Sequence, residues 1–203
     1  MPVSKENFAP SKIPSGVDPA MMDALRKARA EIPEAGRVLA RKIFTDTLVP
    51  AVGNRYAYND FLSRHHSDGV HVKIDNNDFG SVNKKFGDHA GDEILQAYGS
   101  MASKLSRLYR GKAFRVGGDE WAHHFDTFKS ARKFVSDLTG ALDRAPAAYG
   151  DHKVSDSVGI GSSRDHAERA LMEAKAAKKA AGAPEGQAAN HIRSSIEFSD
   201  KDE

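Results

Sequence analysis

The spacing of hydrophobic and polar positions changes several times along the chain. From Pro19 to about Thr45 the apolar residues Met22, Leu25, Ala28, Ile32, Val38, Leu39 and Ile43 recur at helical spacing. Asp18 suits a cap, Pro19 a first helical position, and Pro33 interrupts the pattern. Tyr56 to Arg64 reads as a short helix with Tyr58, Phe61 and Leu62 on its apolar side. Val70 to Asp75 alternates, as a strand does, and ends on a carboxylate. Glu93 to Tyr109 is the clearest helix, with Ile94, Leu95, Tyr98, Met101, Ala102, Leu105 and Leu108 on one face. Lys112 to Val116 and Trp121 to Phe125 are two short strands around Gly117-Gly118-Asp119-Glu120. They predict a hairpin whose glycines supply the positive φ of a tight turn. A helix over Lys129 to Ala141, a strand over Lys153 to Ile160 and an Ala/Lys-rich helix over Asp165 to Ala181 follow. His191 to Phe198 alternates weakly, as a late edge strand.

Strands alternating with helices, plus one antiparallel hairpin, predict an α/β (α+β) fold: one mixed central sheet flanked by helices. Residues 1–18, rich in Pro, Ser, Asn and Gly, read as a flexible arm, and residues 19–45 as a helical segment. Residues 46–182 form the main domain, and residues 183–203 an edge strand with a polar tail. Composition narrows the function. Of 203 residues, 39% are hydrophobic and 29% charged, which suits a globular core with polar extensions. There is no cysteine, which removes disulfides, thiolate metal sites and cysteine nucleophiles. A net charge of +2 is too small to predict nucleic-acid binding. No apolar run approaches the roughly 18 residues that span a bilayer, and Met1 to Val17 lacks the apolar stretch of a secretory signal. The expectation is a soluble cytoplasmic protein with no membrane partner.

The candidate chemistry is acidic. Asp75 closes a strand, and Asp119 and Glu120 occupy the hairpin turn. If that strand lies beside the hairpin, three carboxylates converge at one edge of the sheet, where like-charge repulsion calls for cations. Hard oxygen ligands together with substrate phosphates suit magnesium. An EF-hand loop starting at Asp75 fails, because Phe79 and Phe86 stand at its fifth and twelfth places. The segment after Asp75 reads instead as a turn of small residues whose backbone N–H groups can hold phosphate. The pairs His65-His66 and His123-His124 are expected at the surface. Asn54 and Arg55 are expected to fix a helix start.

Five blocks then occur in order: D-T-L-V-P-A-V-G-N-R (46–55), D-N-N-D-F-G-S-V-N-K-K-F-G-D-H-A-G-D (75–92), R-V-G-G-D-E-W (115–121), S-V-G (157–159) and A-E-R-A-L-M-E-A-K (167–175). In order and spacing, apart from one extra residue near Val52, the chain resembles the GGDEF-domain family, the diguanylate cyclases, over about residues 46–180. The resemblance implies a palm-like nucleotidyl-cyclase domain that uses two Mg2+ ions, with Mn2+ as the alternative, and acts as a homodimer with one GTP in each domain. It implies Asp75, the Asn76 carbonyl, Asp119 and Glu120 as metal ligands, with Asp119 also helping to deprotonate the attacking 3′-hydroxyl. Asn83 and Asp92 match residues that read the guanine edge. The backbone amides of Asp78, Phe79 and Gly80 fall near the β- and γ-phosphates. Lys175 matches a phosphate-binding lysine, and Lys179 falls where a second basic residue sits.

The departures are specific. Asn77 replaces an aspartate, Gly80 a lysine, Lys84 an aspartate and Asp88 a histidine. Trp121 replaces the phenylalanine of the signature, where an aromatic packs the core, and Lys178 replaces a glycine. Leu108 and Gly111 stand where the family's inhibitory product site has arginine and aspartate, so inhibition through that site is not expected. The implied function is condensation of two GTP into cyclic di-GMP with release of pyrophosphate. The alternative is a degenerate domain that binds GTP or a cyclic dinucleotide and acts through a protein partner without turnover. Other products of the same fold, and a purely accessory role, remain open readings at this stage.

Overall fold

A computed structural model describes Ala20, Asp23, Ala24, Lys27 and residues 33–65, 69–184, 186, 187 and 189–195. The arm expected at 1–18 and the strand residues expected at 196–198 lie outside the described residues. The chain divides into two units, Met1–Ile43 and Phe44–Glu203. In the first lies α1 (Pro33–Phe44), whose last residue begins the second unit. Pro33 opens this helix, where its missing N–H costs no helical hydrogen bond.

In the second unit the elements are α2 (Arg55–Arg64), β1 (Val70–Asn76), α3 (Phe79–Phe86), α4 (Asp88–Leu108), β2 (Lys112–Arg115), β3 (Glu120–Phe125), α5 (Phe128–Arg144), β4 (Asp156–Gly161), α6 (Arg164–Ala181) and β5 (His191–Ser194). The five strands form one mixed sheet in the order β2-β3-β1-β4-β5. All neighbours are antiparallel except β4 and β5, which run parallel. The chain thus has the mixed-sheet, helix-covered α+β fold that the alternation of strands and helices predicts.

The period-2 pattern of β1 sorts the sheet into two faces. Val72 and Ile74 join Trp121, Phe125, Val158, Phe134 and Leu138 in the main core, all fully buried. This is the face covered by α4 and α5. Each large apolar side chain buried this way contributes roughly 1.5–3 kcal/mol. On the other face, Tyr58 and Phe61 of α2 pack with Phe114, Val116 and Ala122. Asn54 starts α2 as expected, its side chain accepting the Ala57 N–H at 3.0 Å. The α6 helix covers β4 closely because Gly159 and Gly161 carry no Cβ. At Gly159 one would lie 2.2 Å from the Leu171 backbone nitrogen, and at Gly161 2.3 Å from that of Ala167.

Several local expectations change. The segment after Asp75 is a turn only at Asn77 and Asp78, and then becomes helix α3, because Phe79 and Val82 share one buried side. The long helix α4 begins at Asp88 rather than Glu93. The last antiparallel strand begins at Asp156 rather than Lys153. The hairpin glycines do not adopt positive φ. The loop is wider than a two-residue turn and closes when the N–H groups of Val116 and Gly117 both donate to the Glu120 carbonyl, at 2.8 and 3.2 Å. Gly117 is needed for space instead, since a Cβ there would lie 2.9 Å from the Glu120 Cβ.

His123 and His124 are buried, not at the surface. They do point to opposite faces, but β3 is an inner strand and both of its faces are covered. Burial pulls the pKa of His123 down to about 3 from 6.5. Its Nδ1 shares a hydrogen bond of 2.7 Å with Ser106 Oγ. The unfolded chain takes up this proton near pH 6.5, the folded chain only near pH 3. Stability from neutral His123 is therefore complete above 6.5 and is lost as pH falls through that window, by about 1.4 kcal/mol per pH unit. Urea unfolding of wild type and His123→Gln at pH 7 and pH 5 checks this. Wild type is expected to lose about 2 kcal/mol more than the variant between the two pH values, and equal losses would exclude the assignment.

Candidate functional site

Three chain segments meet at one end of β1. Strand register sets Asp75 opposite Glu120 of β3 on one side and opposite Ser157 of β4 on the other. The Asn76 N–H donates to the Asp119 carbonyl at 3.1 Å, which fixes the hairpin loop against the end of β1. From the facing helix α6, Lys175 Nζ donates to Asp75 Oδ2 at 2.6 Å. Carboxylates from β1 and the hairpin thus share an edge of the sheet with a cation.

The hairpin itself is braced from behind. Arg115 donates to the Gly118 carbonyl through Nε at 2.9 Å and through an Nη at 2.7 Å. Its other Nη lies 3.3 Å from Asp46 Oδ1. Asp46 in turn accepts the N–H groups of Leu48 and Val49. Arg55 Nε donates to the Val116 carbonyl.

Electrostatics mark Asp119. Burial raises its pKa first, the Asp75 carboxylate next and Glu120 to a lesser degree, while a backbone hydrogen bond and Lys175 act in the other direction. Repulsion of this kind is relieved by a bound cation, and an all-oxygen donor set suits a hard divalent ion. The residues therefore fit magnesium by donor chemistry. Among the described residues, however, no three His, Asp or Glu side chains are gathered into a metal-holding cluster. The Lys175 ammonium sits on Asp75 instead.

Beneath this edge lies a polar network that the amino-acid pattern did not disclose. Trp121 Nε1 donates to Asn76 Oδ1 at 2.8 Å, and Asn76 Nδ2 donates to Asp156 Oδ1 at 2.7 Å. Tyr98 donates its hydroxyl to Asp156 Oδ2 at 2.8 Å. The Asp156 N–H donates to Asn190 Oδ1 at 2.7 Å. Burial raises the Asp156 pKa to about 7, against the opposing hydrogen bonds from Tyr98 and Asn76. Both polar atoms of the Asn76 side chain take part in this network.

The turn expected to hold phosphate lies between β1 and α3. Asp78 is left-handed (φ 57°) and precedes the first turn of α3 without capping it. Its carboxylate accepts from Lys178 Nζ at 2.5 Å and from the Gly186 N–H at 3.3 Å. Phe79 is buried and Gly80 exposed. Lys175, expected to bind phosphate, pairs with Asp75, Lys179 is exposed, and Lys178 meets the turn. The base-reading candidates fall at the contact between α3 and α4. Asn83 lies against Gly91, where a Cβ would come within 2.0 Å of its Oδ1. That Oδ1 is buried without a hydrogen-bond partner, and Asp92, the next residue after Gly91, is exposed. Asp156, Asn190 and Lys178 are the residues that sequence reasoning missed. Only Lys178 left a signal, as a departure from a family glycine.

A family profile described as diguanylate cyclase, GGDEF domain, matches residues 41–187. Among solved structures, the coiled coil and GGDEF domain of DgcB from Caulobacter crescentus in complex with c-di-GMP superposes with a TM-score of 0.60 at 17% identity. That match covers 87% of this chain and 100% of that one. A diguanylate cyclase/phosphodiesterase from Caldicellulosiruptor saccharolyticus gives 0.58 at 18% identity, covering 68% and 91%. Diguanylate cyclase SiaD from Pseudomonas aeruginosa, in complex with its activator SiaC, gives 0.54 at 21% identity, covering 78% and 68%. At these identities the superpositions establish a shared fold. No curated protein matches. No helix among the described residues is long and apolar enough to cross a membrane.

Proposed function

This chain belongs to the GGDEF, diguanylate cyclase, domain family, and from that membership we propose that it condenses two GTP molecules into cyclic di-GMP. The observation that carries the reading is the shared edge of Asp75, Glu120 and the Asp119 loop, with Lys175 Nζ 2.6 Å from Asp75. Two carboxylate-bearing segments and a phosphate-seeking cation in one place suit phosphoryl transfer, in which a protein mainly positions groups and balances charge.

Each domain of a homodimer holds one GTP. Asn83 and Asp92 read the guanine edge, Asn83 turning its amide away from Gly91, against which its Oδ1 is buried without a partner. The N–H groups of Asp78, Phe79 and Gly80 at the start of α3 face the β- and γ-phosphates. Lys175 leaves Asp75 for a phosphate oxygen, and Lys179 lies further along the same helix. Asp75, the Asn76 carbonyl, Asp119 and Glu120 would hold the magnesium ions. When bound, these neutralise phosphate charge and make the 3′-hydroxyl more acidic. Asp119 also helps to take up the proton of that hydroxyl. The 3′-oxygen bonds to the α-phosphorus of the facing GTP, the bond from that phosphorus to the bridging oxygen breaks, and pyrophosphate leaves. A second round closes the ring.

A second reading has its own support. Lys175 already pairs with Asp75, one of the candidate cation ligands, and Gly80 leaves the β1–α3 turn without a side-chain charge at that position. That arrangement favours a domain that binds guanine nucleotide and acts on a protein partner without turnover. Incubation with GTP and magnesium, with products separated and weighed by mass spectrometry, decides between them. Cyclic di-GMP together with pyrophosphate supports the cyclase. Magnesium-dependent GTP binding with no product supports the second reading. In either case Asn83→Ala combined with Asp92→Ala is expected to cut the preference for GTP over ATP at least about tenfold. An unchanged preference removes the base-reading assignment.

A further inference from the structure

We propose that Lys178 is a phosphate-binding residue of this chain, supplying from α6 the positive charge that the β1–α3 turn lacks at Gly80. The proposal rests on the nucleotide-binding reading above and adds a residue to it. Three observations carry it. Lys175 and Lys178, three residues apart, lie on one side of α6 and reach the two ends of the same turn. Lys175 meets Asp75 at 2.6 Å and Lys178 meets Asp78 at 2.5 Å. Gly80 is exposed, and a Cβ there would find nothing within 4 Å, so no side chain of that residue enters the space beside the turn. Asp78 spends its carboxylate on Lys178 and the Gly186 N–H rather than on capping α3, which leaves the first N–H groups of α3 uncapped by it.

The charges then balance in a definite way. A triphosphate approaching the start of α3 would meet the Asp78 carboxylate, which repels it. Lys178 cancels that charge and, with three N–H donors on a flexible stem, can turn one toward a phosphate oxygen while keeping another on Asp78. Its side chain is 24% exposed, so it is accessible to a ligand yet held close to the turn.

The test compares binding of GTP, GDP and GMP, each with magnesium, to the full chain and to Lys178→Met, Lys178→Met with Gly80→Lys, and Asp78→Asn. Lys178→Met is expected to weaken GTP about tenfold, GDP less and GMP under twofold, because the effect scales with the phosphates beyond the first. Adding Gly80→Lys is expected to recover most of the loss. Asp78→Asn, which removes the repelling charge, is expected to hold GTP at least as tightly as wild type. An equal loss for all three nucleotides would make Lys178 only a clamp on the turn and overturn the proposal. So would an unchanged affinity for GTP or a failure of Gly80→Lys to restore it. If the wild-type chain binds none of the three, the nucleotide reading itself falls and takes this residue with it. That outcome is distinct from a wild type that binds and a variant that matches it.

Discussion

Asp119→Ala is expected to lower GTP conversion by roughly a thousandfold or more, since a cation ligand and proton acceptor at the reacting oxygen is worth several kcal/mol. The fold is expected to survive. The Asn76 N–H is received by the backbone carbonyl of residue 119, which alanine keeps. The removed carboxylate is also one that burial, Asp75 and Glu120 all disfavour as a charge, so its loss relieves repulsion. Urea unfolding should therefore give a stability equal to or above that of wild type, while kcat collapses and GTP binding persists. A fall in kcat without a matching loss of binding places the effect in the chemical step. Product formed at the wild-type rate would sink the assignment, and an unfolded variant would show that Asp119 serves the hairpin rather than the reaction.

The second large effect concerns stability. Trp121→Phe restores the family's usual signature residue, yet here it is expected to destabilise the chain by about 3 kcal/mol. The indole is fully buried. Its Nε1 satisfies Asn76 Oδ1, which would be left without that donor in the variant. The larger ring also fits because Gly99 of α4 has no side chain: a Cβ there would lie 2.6 Å from Trp121 Cη2 and 2.6 Å from Val49 Cγ1. Gly99→Ala alone is therefore expected to be costly through overpacking, and less costly once the indole has become a phenyl ring. A double-mutant cycle followed by urea unfolding measures this, with an expected coupling of at least about 0.5 kcal/mol. Strict additivity would mean that Gly99 and Trp121 do not share the space described here.

Much of this architecture could be read from pattern. β1 alternates cleanly, and the apolar faces of α2 and α4 announce themselves at helical spacing. The sequence puts Asp75 at a strand end and Asp119 and Glu120 at the hairpin, and it is the pairing of β1 with β3 that sets Asp75 opposite Glu120. What pattern could not give is burial on the second face of the sheet. His123 and His124 read as surface residues because alternation says only that they point apart, not that helices wait on both sides. The network through Asn76, Trp121, Tyr98 and Asp156 was invisible for a related reason. Each member is an ordinary polar or aromatic residue in its own segment, and only the strand order brings β1, β3 and β4 together above α4. Helix α3 hid behind the polar look of its segment, although Phe79 and Val82 give it a small apolar face. The lysines show the finer limit: Lys175 and Lys179 share a helical stripe, but the turn that meets α6 stands one position over, opposite Lys178.

The family profile ends at residue 187, yet the sheet continues to β5 at His191–Ser194, which lies parallel along β4. The segment just before that strand also sends Asn190 to the Asp156 backbone N–H. A chain cut at the profile boundary would thus keep every residue assigned to the chemistry and still lose its border. The β4 edge, buried along its whole length in the intact protein, would become an open row of amide donors and carbonyl acceptors, the kind of surface on which foreign strands add and filaments start. The four residues of β5, of which Ile192, Arg193 and Ser194 are exposed, take the place of that row and leave the sheet a short, partly polar border instead.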